Sequence, residues 1–211
     1  MRNSLRRLAV AVGASAAAVV LAAPAATAGA TAVWTVGPNT SPETFSGSAT
    51  NAVLTLNSIP MTCSSSAASG VLTSASGTTN VQVGTIAPLT FSGCTSAFGV
   101  VTPTTDTSTP WRLVANTYSA GVTSGYIDGV KATIKVLTCT FSVTGRVAAT
   151  YTNSTGKLAV SNNATYKLTV SAVSASGCTG IAAVGNTPTF TASYAAVTPA
   201  GGTVKPTIVY S

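Results

Sequence analysis

From Val130 onward the chain alternates between apolar and polar positions. Val130, Ala132, Ile134 and Val136 are apolar, and Lys131, Thr133 and Lys135 lie between them. The phase then slips by one, so that Leu137, Cys139, Phe141 and Val143 alternate with Thr138, Thr140, Ser142 and Thr144. A period of two sets one face on a core and the other in water, which marks a half-buried strand. One extra residue exchanges the two faces, so the slip at Val136-Leu137 predicts a β-bulge or a sharp bend. Val147, Ala149 and Tyr151 follow beyond Gly145.

Shorter runs repeat the theme. Leu54 and Leu56 flank Thr55, Leu89 and Phe91 flank Thr90, Trp111 and Leu113 flank Arg112, and Leu158 and Val160 flank Ala159. Tyr166, Leu168 and Val170 alternate with Lys167 and Thr169, as Phe190, Ala192 and Tyr194 do with Thr191 and Ser193. Thr, Val and Tyr favour strands. Turn-forming clusters separate the runs at Asn153-Ser154-Thr155-Gly156, Ser161-Asn162-Asn163, Ser176-Gly177 and Pro199-Ala200-Gly201-Gly202. No helical stripe occurs beyond the first 28 residues. About ten short antiparallel strands at this spacing predict an all-β fold, a β-sandwich or a jelly-roll-like β-barrel.

The first 28 residues read differently. Arg2, Arg6 and Arg7 form a basic head, Leu8 to Ala23 is an apolar run rich in Ala and Val, and Ala26-Thr27-Ala28 is a small-x-small site followed by Gly29. That order predicts a secretory signal peptide cleaved between Ala28 and Gly29. The apolar run is short for a spanning helix of roughly 20 residues, which disfavours an uncleaved anchor. Arg6-Arg7 fits the extended twin-arginine pattern poorly, which favours general secretion. The expected mature chain, 29–211, has the length of a single all-β domain, secreted or wall-associated, with no transmembrane segment.

Four cysteines in an exported chain read as two disulfides, for which three pairings are available. Thr62-Cys63 is followed by Ser92-Gly93-Cys94-Thr95, and Thr138-Cys139 by Ser176-Gly177-Cys178-Thr179. This echo suggests pseudo-repeat halves near 29–100 and 111–211 and favours Cys63–Cys94 with Cys139–Cys178. Chain-entropy arguments assign each such loop roughly 3.5–4 kcal/mol. The Thr/Pro-rich stretch from Val101 to Pro110 lies between the halves as a linker or a long exposed loop. A four-cysteine zinc site lacks both a close Cys-x-x-Cys pair and histidine, so no metal is expected.

Charge adds mainly exclusions. Ser and Thr make up about a third of the mature chain, and charged residues are scarce. Without the signal, seven basic residues (Arg112, Lys131, Lys135, Arg146, Lys157, Lys167, Lys205) stand against Glu43, Asp106 and Asp128, a net +4. They form no cluster of the kind that binds nucleic acid. The chain has no histidine, which removes the Ser-His-Asp and Cys-His constellations. The three acids read as solvated loop residues, with Asp128 before Gly129 in a turn. A glycosidase would need two of them in one cleft. Ser154-Thr155-Gly156-Lys157 matches the Ser-x-x-Lys nucleophile motif but sits in a hairpin turn without its companion motifs. No catalytic residue and no cofactor is expected. Among the aromatics, Trp111 lies inside an alternating run and reads as core. Trp34, near the mature N-terminus, is the candidate for an exposed aromatic contact.

The stretch from Pro110-Trp111 through Ile127-Asp128-Gly129-Val130, Thr138-Cys139 and Tyr151-Thr152-Asn153-Ser154-Thr155 to Cys178 resembles small secreted β-rich proteins of actinobacteria. More faintly, it is similar to the secreted alkane-oxidation activator family. The resemblance implies a surface or extracellular role around hydrophobic substrates or biofilm, with no catalytic residue to carry over. The sequence therefore points first to a non-enzymatic envelope or extracellular protein with a structural, adhesive or surface-interaction role. Its partners would be cell wall, extracellular polymer or an apolar surface. The alternatives are a binding module for a glycan or small apolar ligand, and a secreted inhibitor or toxin-like factor.

Overall fold

A computed structural model describes residues 31–174 and 176–211. The expected signal peptide and its cleavage site at Ala28 and Gly29 lie outside the described residues. Thirteen strands follow in order: β1 (Val33–Gly37), β2 (Glu43–Leu56), β3 (Ile59–Leu72), β4 (Ala75–Ser76), β5 (Val81–Ser96), β6 (Gly99–Thr105), β7 (Trp111–Ser119), β8 (Val122–Val136), β9 (Cys139–Thr152), β10 (Lys157–Ser161), β11 (Leu168–Val173), β12 (Thr189–Val197) and β13 (Thr207–Tyr210).

The strands close on themselves. β2, β3, β5, β7, β8, β9, β10 and β12 pair in that order, and β12 returns to β2, giving an eight-stranded antiparallel barrel. Closure leaves no free edge on the circuit. Three long strands change neighbours along their length. β5 and β8 pair with β7 in one half of the barrel and with β6 in the other. β9 pairs with β10 in the first half and β11 in the second. The lower half is thus walled by β7 and β10, the upper half by β6 and β11.

Two cores follow from the two halves. Phe45, Leu72, Ile86, Trp111, Ile127 and Tyr194 belong to the lower one. Met61, Val101, Ile134, Val136, Phe141 and Val170 belong to the upper one. Leu54, Phe91 and Phe190 are half-buried between them and pack on both. Inward and outward positions change phase at this junction. In β2 the inward set passes from Phe45, Gly47 and Ala49 to Ala52 and Leu56 across two exposed residues, Thr50 and Asn51. Asn51 has a φ of 55° and Gly93 on β5 a φ of 58°. A Cβ on Gly93 would run into the Ser64 hydroxyl, so both the backbone and the space require glycine there.

A separate three-stranded sheet, β13-β1-β4, covers the lower end. Its Trp34, Val36 and Ile208 join the lower core. Asn153 both donates to the Ile208 carbonyl (3.0 Å) and accepts from the Ile208 amide (2.9 Å). The Tyr151 hydroxyl donates to the Pro206 carbonyl at 2.5 Å. Burial raises the pKa of that phenol.

Both disulfides join the expected partners, Cys63–Cys94 and Cys139–Cys178. Trp111 is buried, with its indole N–H donating to the Asp106 carbonyl at 2.9 Å. Several expectations need correction, three of them in the strands and the core. The slip at Val136-Leu137 is a two-residue hairpin turn between β8 and β9, with Val136 opposite Cys139. Alternation alone cannot separate one bent strand from two strands joined tightly. The stretch after Val101 is no linker: Gly99–Thr105 is a strand with Val101 opposite Val136. Pro103 fits because β5 pairs with β6 only near the turn, leaving no ladder bond there for the missing N–H to make. Trp34, expected to be exposed, is completely buried. Pairing with Tyr210 on β13 draws it under the covering sheet, and the two rings lie 5.0 Å apart.

Candidate surface-contact site

The upper end of the barrel is made of turns. Asn57-Ser58 joins β2 to β3, Ala97-Phe98 joins β5 to β6, and Leu137-Thr138 joins β8 to β9. The segment 176–188 lies over the same end. Strand register gathers these pieces, because Met61 is opposite Ser96 and Val101 opposite Val136. The Cys139–Cys178 disulfide ties the segment to the β9 start. The Asn57 side-chain amide donates to the Ile181 carbonyl and to the Asn186 side-chain oxygen, both at 3.2 Å. Beneath, Ile181 and Cys178 are buried in the upper core.

Four large apolar side chains stand out from this end: Val100 (73 % exposed), Val184 (64 %), Leu137 (61 %) and Phe98 (39 %). Single exposed apolar residues are ordinary on any protein surface. Four at one end of the barrel make that end the candidate contact site. Leu137 carries the most information. Its φ is 53°, a left-handed conformation that disfavours residues with a Cβ by roughly 1–2 kcal/mol. Neither packing nor backbone preference accounts for leucine in that turn. Phe98 is held by its neighbour, its amide donating to the Ser96 hydroxyl at 3.2 Å.

The electrostatics of this end are simple. Among the described residues, the turns and the segment over them contain no Asp, Glu, Lys or Arg. Lys135, exposed near the tip of β8, is the nearest cation. The carboxylates lie elsewhere, and each is engaged. Asp128, read from sequence as a solvated turn acid, is instead buried at a bulge inside β8, between Arg112 of β7 and Arg146 of β9. Arg112 donates to one of its oxygens, and the Arg146 Nε donates to the other at 2.7 Å. Burial opposes ionisation of Asp128, but the hydrogen bonds and charges of the two arginines prevail and hold its pKa below the ordinary value. Arg146 also lies over the Tyr126 ring, which stacks on Tyr166 at 4.5 Å. The Lys131 ammonium, 2.6 Å away, and Ser108 lower the Asp106 carboxyl to about 2. Glu43, read from sequence as a solvated loop acid, is buried, with one oxygen accepting from the Asn39 amide at 3.3 Å. Its place as the first inward residue of β2 explains the difference.

Asp106 and Asp128 are thus each held by their own cations. Among the described residues no three His, Cys, Asp or Glu side chains gather as a metal site would need, and no helix is long and apolar enough to cross a membrane. Ser154-Thr155-Gly156-Lys157 spans the β9–β10 turn and the first residue of β10. Reading the sequence missed Phe98, Val100, Leu137 and Val184. The available signal was an apolar residue at each point where the alternation breaks. Compared with known proteins, the chain matches no family model, no curated protein and no solved structure.

Proposed function

We propose that this is an exported, non-enzymatic protein of the cell envelope or its surroundings, which acts by seating the turn end of its barrel on an apolar or lipid-covered surface. The observation that carries this reading is the group Phe98, Val100, Leu137 and Val184, projecting from an end without carboxylates. The barrel wall turns its apolar positions inward and its hydroxyl-bearing positions outward, the reverse of a membrane-spanning barrel. The contact is therefore peripheral. Two disulfides suit an oxidising compartment, and the resemblance to exported β-rich proteins points the same way.

Magnitudes set the mode of action. Removing a Val, Leu or Phe side chain fully from water is worth about 1.5–3 kcal/mol. Four partly exposed ones supply on the order of 4 kcal/mol before the ordering cost of docking. Lys135 near anionic headgroups adds about 1 kcal/mol. One molecule thus binds weakly and reversibly. Flotation with anionic phospholipid vesicles tests the reading. The unaltered protein rises with the vesicles, and a variant carrying Phe98→Ser, Val100→Thr, Leu137→Asn and Val184→Thr loses at least four-fifths of that binding. Equal flotation of the two proteins, or none of either, refutes it.

A further inference from the structure

The barrel is not filled. A cavity of about 90 Å³ lies at the junction of the two cores. It exists because several inward positions carry small residues, among them Gly47, Ala52, Ala68, Ala132 and Ala196. Phe91 and Phe190, both in its wall, meet edge to face with ring centres 6.1 Å apart. The hydroxyl of Tyr194 reaches the wall but is engaged: it lies 2.9 Å from the Ser66 hydroxyl, which in turn donates to the Thr90 carbonyl at 2.9 Å. The buried side-chain atoms without partners, on Trp34, Glu43 and Asn162, belong to residues outside this wall.

We propose that this cavity is a binding site for a small, uncharged, hydrocarbon-like molecule, up to about the size of one aromatic ring. A buried water needs two to four polar partners, and the wall offers none that is free, so the cavity is dry. Dry apolar cavities of about 150 Å³ take up benzene or xenon, a size this cavity of about 90 Å³ approaches only together with its neighbour of about 50 Å³. A charged or strongly polar ligand would lose its hydration without replacement. A second cavity of about 50 Å³ shares Phe45, Leu158 and Ala196 with the first, so a shift of the Phe45 or Leu158 side chain would lengthen the site. The wall also has a seam. β5 pairs with β7 as far as Ile86 and with β6 only from Thr95. Between these points the Thr105 hydroxyl donates to the Leu89 carbonyl at 2.5 Å. The ligand enters there.

The experiment titrates the full mature protein with benzene and follows the wall methyl groups by NMR. Saturable shifts at Leu54, Ala52 and Ala132, with a rise in melting temperature, are expected. Ala132→Leu fills the space and weakens benzene binding at least tenfold; Ala52→Val is the gentler second variant, expected to weaken it severalfold. The variant with four polar turn residues keeps the benzene response unchanged, so this site and the surface contact stand or fall separately. Absence of saturable wall shifts in the folded, unaltered protein overturns the proposal. So does benzene binding that survives in folded Ala132→Leu and Ala52→Val alike.

Discussion

Two residues show how local chemistry divides between holding the fold and serving its use. Asp128 holds the fold. Its side chain is 11 % exposed, and two half-exposed arginines clamp it from adjacent strands. Asp128→Asn is expected to cost about 1–3 kcal/mol in urea unfolding, because two buried-side hydrogen bonds to a charge are weakened while both arginines can still turn to water. The sign of its pH dependence follows from the lowered pKa. The contribution is complete above the ordinary carboxylate value of 3.8 and is lost as pH falls through the lower folded value. Melting temperature should hold steady from neutral to about pH 4 and fall below it, and Asp128→Asn should flatten the Asp128 part of that fall. Leu137 is a residue of the proposed contact. Leu137→Gly relieves a left-handed backbone at an exposed side chain, so it should raise stability by roughly 0.5–1 kcal/mol while weakening vesicle flotation. A variant that binds less and melts higher is the signature of a residue kept for contact.

At the scale of elements, turns decide what strands cannot. Alternation around Val130 to Val143 showed strand, solvent face and core face correctly except at Leu137, which stands exposed in the turn, since a strand's period is a local property of its side chains. It could not distinguish a bulge from the hairpin at Leu137-Thr138, because both shift the phase by one. It also hid β6, whose Thr and Pro composition reads as loop until β8 supplies the partner. Trp34 misled for the same reason: its burial depends on β13, which arrives from the far end of the chain. Turn chemistry can still be improved. Asn57 and Ser58 both have positive φ, 49° and 64°, the pattern of a two-residue hairpin that favours Asn-Gly. Ser58→Gly should therefore stabilise the protein by roughly 0.5–1 kcal/mol, seen as a higher urea midpoint with an unchanged slope. Gly93→Ala should do the opposite by about 1–3 kcal/mol, because it adds strain at a positive φ and a clash with Ser64.

For the whole molecule, the barrel joins residues from every part of the chain into one wall, and two disulfides hold its upper half. The cystine pairing was legible because the Thr-Cys and Ser-Gly-Cys-Thr echoes set two loops of similar length. The candidate contact site was not, because its four side chains lie at separate breaks in the pattern and come to one end only after the strands pair. Replacing Cys139 and Cys178 together by Ala should cost about 3–4 kcal/mol and also free the segment that carries Val184, so vesicle binding falls with stability. Replacing Cys63 and Cys94 should cost a similar amount but leave binding by the folded fraction intact. The opposite end of the barrel provides an internal control, since Val209 on the covering sheet and Val204 just before it are also exposed there. The most direct measurement places a nitroxide in the acyl region of anionic vesicles and records relaxation at methyl groups of the bound protein. The account predicts strong broadening at Val100, Leu137 and Val184 and little at Val204 and Val209. Broadening that is equal at the two ends, or concentrated at Val204 and Val209, would contradict it.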